Sequence, residues 1–202
     1  MRKHNDKDDP YHLKLFEFCV IGHEFDAAHD IVRINFSSLW MLSNALRAIN
    51  AGWVFQLNGD VTGNVCRADI DLLELSVTSI PAQNNVLCIS TIPHATESQR
   101  TYEITWDDLR AAVLLSLSIK HCGNDSCECC STMAELIQHP EVVHFTTTTD
   151  YAEGRLPVHT AMCDNFKGWG NFAMDSLGIE TNLCHPHATG KCCLRSVLFS
   201  RI

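Results

Sequence analysis

The middle of the chain alternates short apolar runs with turn-forming residues, a pattern that predicts β-strands. We expect the first strand at residues 53–57, where Trp53 and Phe55 favour strands and Asn58-Gly59-Asp60 favours a turn. Two further runs follow after short connections, which predicts an antiparallel meander of three strands. The other expected strands are residues 70–77, 86–90, 158–163 and 181–184.

Apolar residues at helical spacing predict helices before, between and after those strands. Leu39, Leu42, Leu46 and Ile49 follow Ser37-Ser38, which can cap a helix. A long helix is expected to open at Thr105 and to lie on the sheet, and a short one at residues 133–138 is expected to end before Pro140. A last helix includes Trp169 and ends at Gly178. Three antiparallel strands followed by alternating helices and strands predict an α/β fold with a mixed sheet.

The composition fits a folded protein, since 46% of the 202 residues are hydrophobic and 19% are charged. No apolar run reaches the roughly 18–20 residues needed to cross a bilayer. Charges fill the first residues, where a signal peptide has its apolar core, so we expect an intracellular protein with no membrane partner. The net charge of −9 argues against a simple nucleic-acid-binding module, because such proteins gather lysine and arginine.

Asp60 and Asp164 each follow a predicted strand, and these two strands can lie side by side in a sheet of this order. The two carboxylates then meet at one edge of the sheet. Carboxylate oxygens suit Mg²⁺ or Mn²⁺, and a pair of such ions can activate water and stabilise the leaving oxygen in phosphodiester cleavage. The alternative is that each aspartate is an ordinary turn former at the end of a strand.

The residues around these aspartates resemble a known family. Residues 53–66 (WVFQLNGDVTGNVC), 71–73 (DLL) and 84–93 (NNVLCISTIP) are similar to the opening strands of Mutator-like (MULE-type) transposases. Residues 157–172 (PVHTAMCDNFKGWGNF) resemble the strand, second catalytic aspartate and helix of that family, and residues 184–190 (CHPHATG) resemble its later Cys/His segment. The likeness covers roughly residues 53–190, and it is carried by the order and spacing of these motifs.

The resemblance implies an RNase H-like fold with a DDE triad that holds two Mg²⁺ or Mn²⁺ ions and cuts and joins DNA. Asp60 takes the place of the first catalytic carboxylate and Asp164 that of the second. The third, a glutamate, follows a long helical insertion in the family, and no position before Ile202 matches it; neither Glu153 nor Glu180 can substitute. We therefore expect a transposase core that is incomplete at the C-terminus, inactive alone, and nuclear if its function is retained.

This interpretation divides the chain into four parts: a disordered tail (1–10), a helical lead-in segment (11–52), a partial RNase H-like core (53–190) and a divergent tail (191–202). A face once covered by the missing part is expected to be exposed. Self-association, or a partner supplying that missing region, is therefore expected.

The 11 cysteines of an intracellular protein are expected to be thiols or metal ligands rather than disulfides. Cys127 and Cys130 form a CxxC pair, and Cys122 can supply a third zinc ligand. The fourth can come from Cys129, or from the second cluster with Cys184 and His187. The spacing is irregular for a zinc finger, so loop thiols without metal are the alternative.

Three functions remain open from the sequence: a transposase-derived nuclease core, a co-opted non-catalytic interaction protein, and a zinc-stabilised binding module. A cysteine–histidine nucleophilic enzyme is disfavoured because no Cys and His pair has a local signature of that chemistry.

Overall fold

A computed structural model describes residues 19–26, 31–51, 55–62, 70–79, 83–93, 98–118, 128–163, 167–179 and 181–183. Within these residues, seven strands form one sheet in the order β1-β2-β5-β4-β3-β6-β7. The strands are β1 Cys19–Asp26, β2 Ile31–Ser37, β3 Phe55–Thr62, β4 Ile70–Ser79, β5 Gln83–Pro93, β6 Val158–Cys163 and β7 Thr181–Leu183. The helices are α1 Leu39–Asn50, α2 Gln99–Ser116, α3 Glu128–Ile137, α4 Pro140–Phe145, α5 Thr149–Ala152 and α6 Lys167–Phe172, which continues into a π-helical turn, Ala173–Leu177.

The pairing of the strands makes this a mixed sheet, as predicted. β3, β4 and β5 form the expected antiparallel meander. β6 then pairs parallel to β3, and β7 pairs parallel to β6. Parallel neighbours require long crossover connections, and α2 to α5 lie in the connection between β5 and β6. The α/β class and the open mixed sheet are therefore confirmed.

The lead-in segment is not the helical segment expected from the sequence. Its residues 19–37 contain β1 and β2, an antiparallel pair that extends the sheet beyond β5, and the helix α1 follows them. The sequence of β2 does not show the alternation of apolar and polar residues typical of a strand, because polar side chains of β2 are buried under α2. Asn35 Nδ2 donates to Asp108 Oδ2 at 2.6 Å, and the buried Arg33 forms ion pairs with Glu24 and Asp108. β1 and β2 therefore belong to the same sheet as the later strands.

Helix ends agree with the sequence where a local cap decides them. Ser38 caps α1 by accepting a hydrogen bond from the backbone N–H of Met41, and Gly178, at φ 67°, ends the π-helical turn. The long helix α2 begins earlier than predicted, because Ser98 rather than Thr105 is its N-cap. The short helix α3 ends at Ile137, before Pro140 as predicted, and Pro140 begins α4, which agrees with the preference of proline for the first helical turn.

The core lies between the sheet and the helices α1, α2 and α6. Asp108 of α2 contacts Asn35 of β2, and Trp169 of α6 lies against Gly59 of β3, so both helices cover the same face. None of the described helices is both long and apolar enough to cross a membrane. The fully buried side chains of this core include Leu42, Leu46, Phe55, Leu57, Leu73, Leu75, Leu87, Trp169 and Phe172.

Candidate functional site

Asp60 lies inside β3 and does not follow the strand, so the predicted end of the strand at Leu57 is wrong. β3 continues through Asn58, Gly59 and Asp60 to Thr62. β4 pairs along this stretch on one side, and β6 pairs as far as Asn58 on the other. This pairing provides partners for backbone N–H and C=O groups and outweighs the turn preference of Asn-Gly-Asp.

Position 59 requires glycine, because α6 approaches β3 closely there. A Cβ atom built on Gly59 would lie 2.4 Å from Cζ3 of Trp169. The Trp169 side chain is 1% exposed and packs edge-on against Tyr102, with 5.0 Å between ring centroids. The indole therefore occupies the space above Gly59, and the next residue, Asp60, points to the opposite face of the sheet.

The register between β3 and β6 relates the two aspartates predicted from the sequence. In this parallel pair, Asn58 lies level with Met162. Asp60 comes two residues after Asn58, and Asp164 comes two residues after Met162 in the sequence. The predicted adjacency of their two strands is confirmed by this pairing. Asp164 itself lies outside the described residues.

Glu74 is a carboxylate near Asp60 that the sequence analysis missed. It is the direct partner of Asp60 in the antiparallel β3–β4 pair, so both side chains lie on the same face of the sheet. Directly opposed residues have Cβ atoms about 4.5–5.5 Å apart. Both side chains are partly buried. Only the register could have identified Glu74, because no motif surrounds it.

Two carboxylates on neighbouring strands are hard oxygen ligands of the kind that Mg²⁺ and Mn²⁺ accept. Within the part of the chain that the structure describes, no group of three or more His, Cys, Asp and Glu side chains is arranged to hold a metal ion. Asp60 and Glu74 can supply two oxygen ligands, and Mg²⁺ usually completes its coordination with water.

Of the predicted zinc ligands, Cys130 is the one whose side chain lies within the described residues. Cys130 is buried on α3, with 3% of its surface exposed. Cys122, Cys127, Cys184 and His187 lie outside the described residues, as does the side chain of Cys129. The zinc site therefore stays a prediction. Cys88, in the core, is no candidate nucleophile, because burial raises the pKa of its thiol and keeps it protonated at neutral pH.

A cavity of about 330 Å³ lies away from the aspartates, between α2, the segment leading into β6, and the end of α6. Val158, the first residue of β6, lines it. Asp60 lies toward the other end of the parallel β3–β6 pair, where Asn58 is level with Met162. The cavity and the carboxylate edge are therefore separate features of the fold.

Comparison with known proteins gives no match: no family model, no curated protein and no solved structure matches this chain. Function must therefore be argued from the side chains and the register described above.

Proposed function

We propose that residues 53–190 form an RNase H-like transposase core, in which Asp60 and Asp164 hold divalent metal ions and DNA is the substrate. The substrate and reaction follow from the resemblance to Mutator-like transposases. The observation that carries the proposal is the β3–β6 register, in which Asn58 is level with Met162. Asp60 and Asp164 each come two residues later in the sequence than this pair.

The order of the strands supports the same proposal. The first strand of the meander, β3, is an interior strand and has β4 on one side and the later strand β6 on the other. β3 holds Asp60 and β6 ends at Cys163, one residue before Asp164, so the two strands that the proposed two-metal site uses are neighbours. An acidic edge of this kind can bind DNA phosphates only through its metal ions, and this accounts for a nuclease core in a chain with net charge −9.

Glu74 strengthens the metal site in this proposal. It lies opposite Asp60 on the same face, so both carboxylates can contact one divalent cation. Glu74 lies on β4 and so does not occupy the place of the family's third catalytic glutamate, which follows a long helical insertion after the Cys/His segment. We therefore still expect no DNA cleavage by this chain alone.

Calorimetric titration with Mn²⁺ tests the site. We expect wild-type protein to bind Mn²⁺, and both Asp60→Asn and Asp164→Asn to abolish binding, because each removes a ligand charge without changing the side-chain volume. Glu74→Gln is expected to weaken binding about tenfold, which corresponds to about 1.4 kcal/mol. Glu135→Gln is the matched control, since Glu135 is an exposed carboxylate on α3.

Three results would contradict the proposal: no Mn²⁺ binding by the wild type, binding that survives Asp60→Asn or Asp164→Asn, or an equal loss in Glu135→Gln. Efficient DNA cleavage by the purified chain that is lost in Asp60→Asn would support the metal site. The same result would refute the expectation that this chain does not cleave DNA alone.

The alternative function is a non-catalytic interaction protein that retains the fold. The net charge of −9 favours it, because a DNA-binding surface normally collects basic residues. A stably folded protein with no response to Mn²⁺ in calorimetry or thermal unfolding would select this alternative.

A further inference from the structure

The cavity between α2 and α6 is a second candidate site, independent of the function proposed above. Its volume of about 330 Å³ is at the small end of the range of roughly 300–1,000 Å³ that ligand pockets occupy. Residues from three separate parts of the chain line it: α2, the segment 155–158, and the end of α6 with its π-helical turn.

The inner wall of this cavity is apolar. Trp106, Leu156 and Phe172 line it with exposures of 5%, 6% and 0%, so their side chains are held by the core behind them. Val158 and Leu177 complete the apolar lining. Two aromatic side chains within such a small space favour a compact ligand body, aromatic or branched, over a long flexible chain.

The guanidinium groups at the rim already donate to protein acceptors, although the buried Nε of Arg110 has no hydrogen-bond partner. Arg110 donates from Nη1 to the carbonyl oxygen of Gly154 at 2.7 Å and from Nη2 to Oδ1 of Asp107 at 3.1 Å. Arg155 donates from Nε and Nη2 to Asp150 and from Nη1 to Glu153. Neither arginine therefore presents an uncompensated positive charge to a ligand.

The carboxylates at the rim of the cavity can still accept hydrogen bonds from a ligand. Gln99 and Ser176 both donate to Oε1 of Glu103, at 2.9 and 2.8 Å, and the bond from Arg110 ends on Oδ1 of Asp107. An ionised carboxylate accepts at both oxygens, so Oε2 of Glu103 and Oδ2 of Asp107 are the acceptors that a ligand can use. Asp175, which accepts from Gln99, adds a further negative charge nearby.

The π-helical turn at the cavity is an independent sign of function. Ser176 and Leu177 line the cavity and belong to the π-helical turn Ala173–Leu177. π-helical turns are rare and occur frequently at functional sites. Here the turn brings the Ser176 hydroxyl to Glu103, which holds the carboxylate at the rim.

We propose that this cavity binds a small organic ammonium ion with a compact aromatic or branched apolar body. The body packs against Trp106 and Phe172, and the ammonium group donates to Glu103 and Asp107. An anionic ligand of the same shape is disfavoured, because it meets the carboxylate of Glu103, which accepts from the neutral side chains of Gln99 and Ser176, while both arginines are already paired with carboxylates.

Ligand-observed NMR titration with three probes of similar shape tests the proposal: phenethylammonium, 2-phenylethanol and 3-phenylpropionate. We expect phenethylammonium to bind at least about fivefold more tightly than 3-phenylpropionate, the effect of one partly exposed ion pair. Equal binding of the cation and the anion, or no binding of phenethylammonium at millimolar concentration, would overturn the proposal.

Two variants locate the bound probe. Glu103→Gln is expected to weaken phenethylammonium about fivefold and to leave 2-phenylethanol unchanged, whereas Glu135→Gln, exposed on α3, changes neither. Ser176→Trp is expected to fill the mouth of the cavity and to abolish binding of both probes, with an unchanged far-UV circular dichroism spectrum showing that the fold is intact. Binding that is equal in wild type, Glu103→Gln and Ser176→Trp would place the probe elsewhere and refute the site.

Discussion

Replacing Gly59 by alanine tests the packing that positions Asp60 in the sheet. The new Cβ would lie 2.4, 2.6 and 2.8 Å from three carbons of the Trp169 ring, distances that real Cβ atoms do not show. The ring has little room to move, because it is 1% exposed and packs against Tyr102 and Phe172. Overpacking a core in this way costs about 1–3 kcal/mol.

Urea unfolding followed by circular dichroism measures this cost. With a slope of roughly 2 kcal/mol per molar urea, a loss of about 2 kcal/mol lowers the midpoint by about 1 M. Gly170→Ala is the matched control, since no atom lies within 4 Å of a Cβ built at Gly170 in α6. Alanine there is expected to be neutral or to stabilise by up to about 1 kcal/mol, because it has the higher helix propensity.

A double-mutant cycle separates the clash from other effects of alanine in the strand. Trp169→Phe removes the benzo ring that Gly59 faces, at the cost of a cavity. In that background, Gly59→Ala should cost at least about 1 kcal/mol less than in the wild type, since contacting residues couple by 0.5–3 kcal/mol. A midpoint for Gly59→Ala equal to that of Gly170→Ala, or no coupling with Trp169→Phe, would show that β3 and α6 do not approach this closely.

Three further predictions concern the helices and the core. Ser98→Ala should destabilise by about 1 kcal/mol in urea unfolding, because Ser98 caps α2, whereas Ser118→Ala beyond its end should change stability little. Burial raises the pKa of the Asp108 carboxyl, so the ionised form is disfavoured in the folded state. The stability of wild type relative to Asp108→Asn should therefore be greatest at acidic pH and fall as pH rises through this raised pKa; a difference that is constant or grows with pH would refute the assignment. Leu75→Ala, at a fully buried site in β4, should cost about 2–5 kcal/mol by thermal or urea unfolding, and a cost below 1 kcal/mol would contradict its place in the core.

Several elements could be predicted from the sequence because their causes are local. Ser38 caps α1, Gly178 ends the π-helical turn in a left-handed conformation, and β6 begins and ends where its apolar run does. The meander followed because short connections leave antiparallel pairing as the simplest arrangement for successive strands. In each case, the physical cause lies within a few residues of the feature that it determines.

Other features depend on contacts between distant residues, and only the tertiary structure decided them. β2 does not look like a strand because it buries two polar side chains, Arg33 and Asn35, which pair with Asp108, far along the chain. β3 continues through Asn58-Gly59-Asp60 because its neighbours pair with it and Trp169 fills the space above Gly59. The position of Glu74 opposite Asp60 follows from the strand register alone. Pairing and burial compensate for unfavourable local preferences, and a single sequence does not show which residues will provide that compensation.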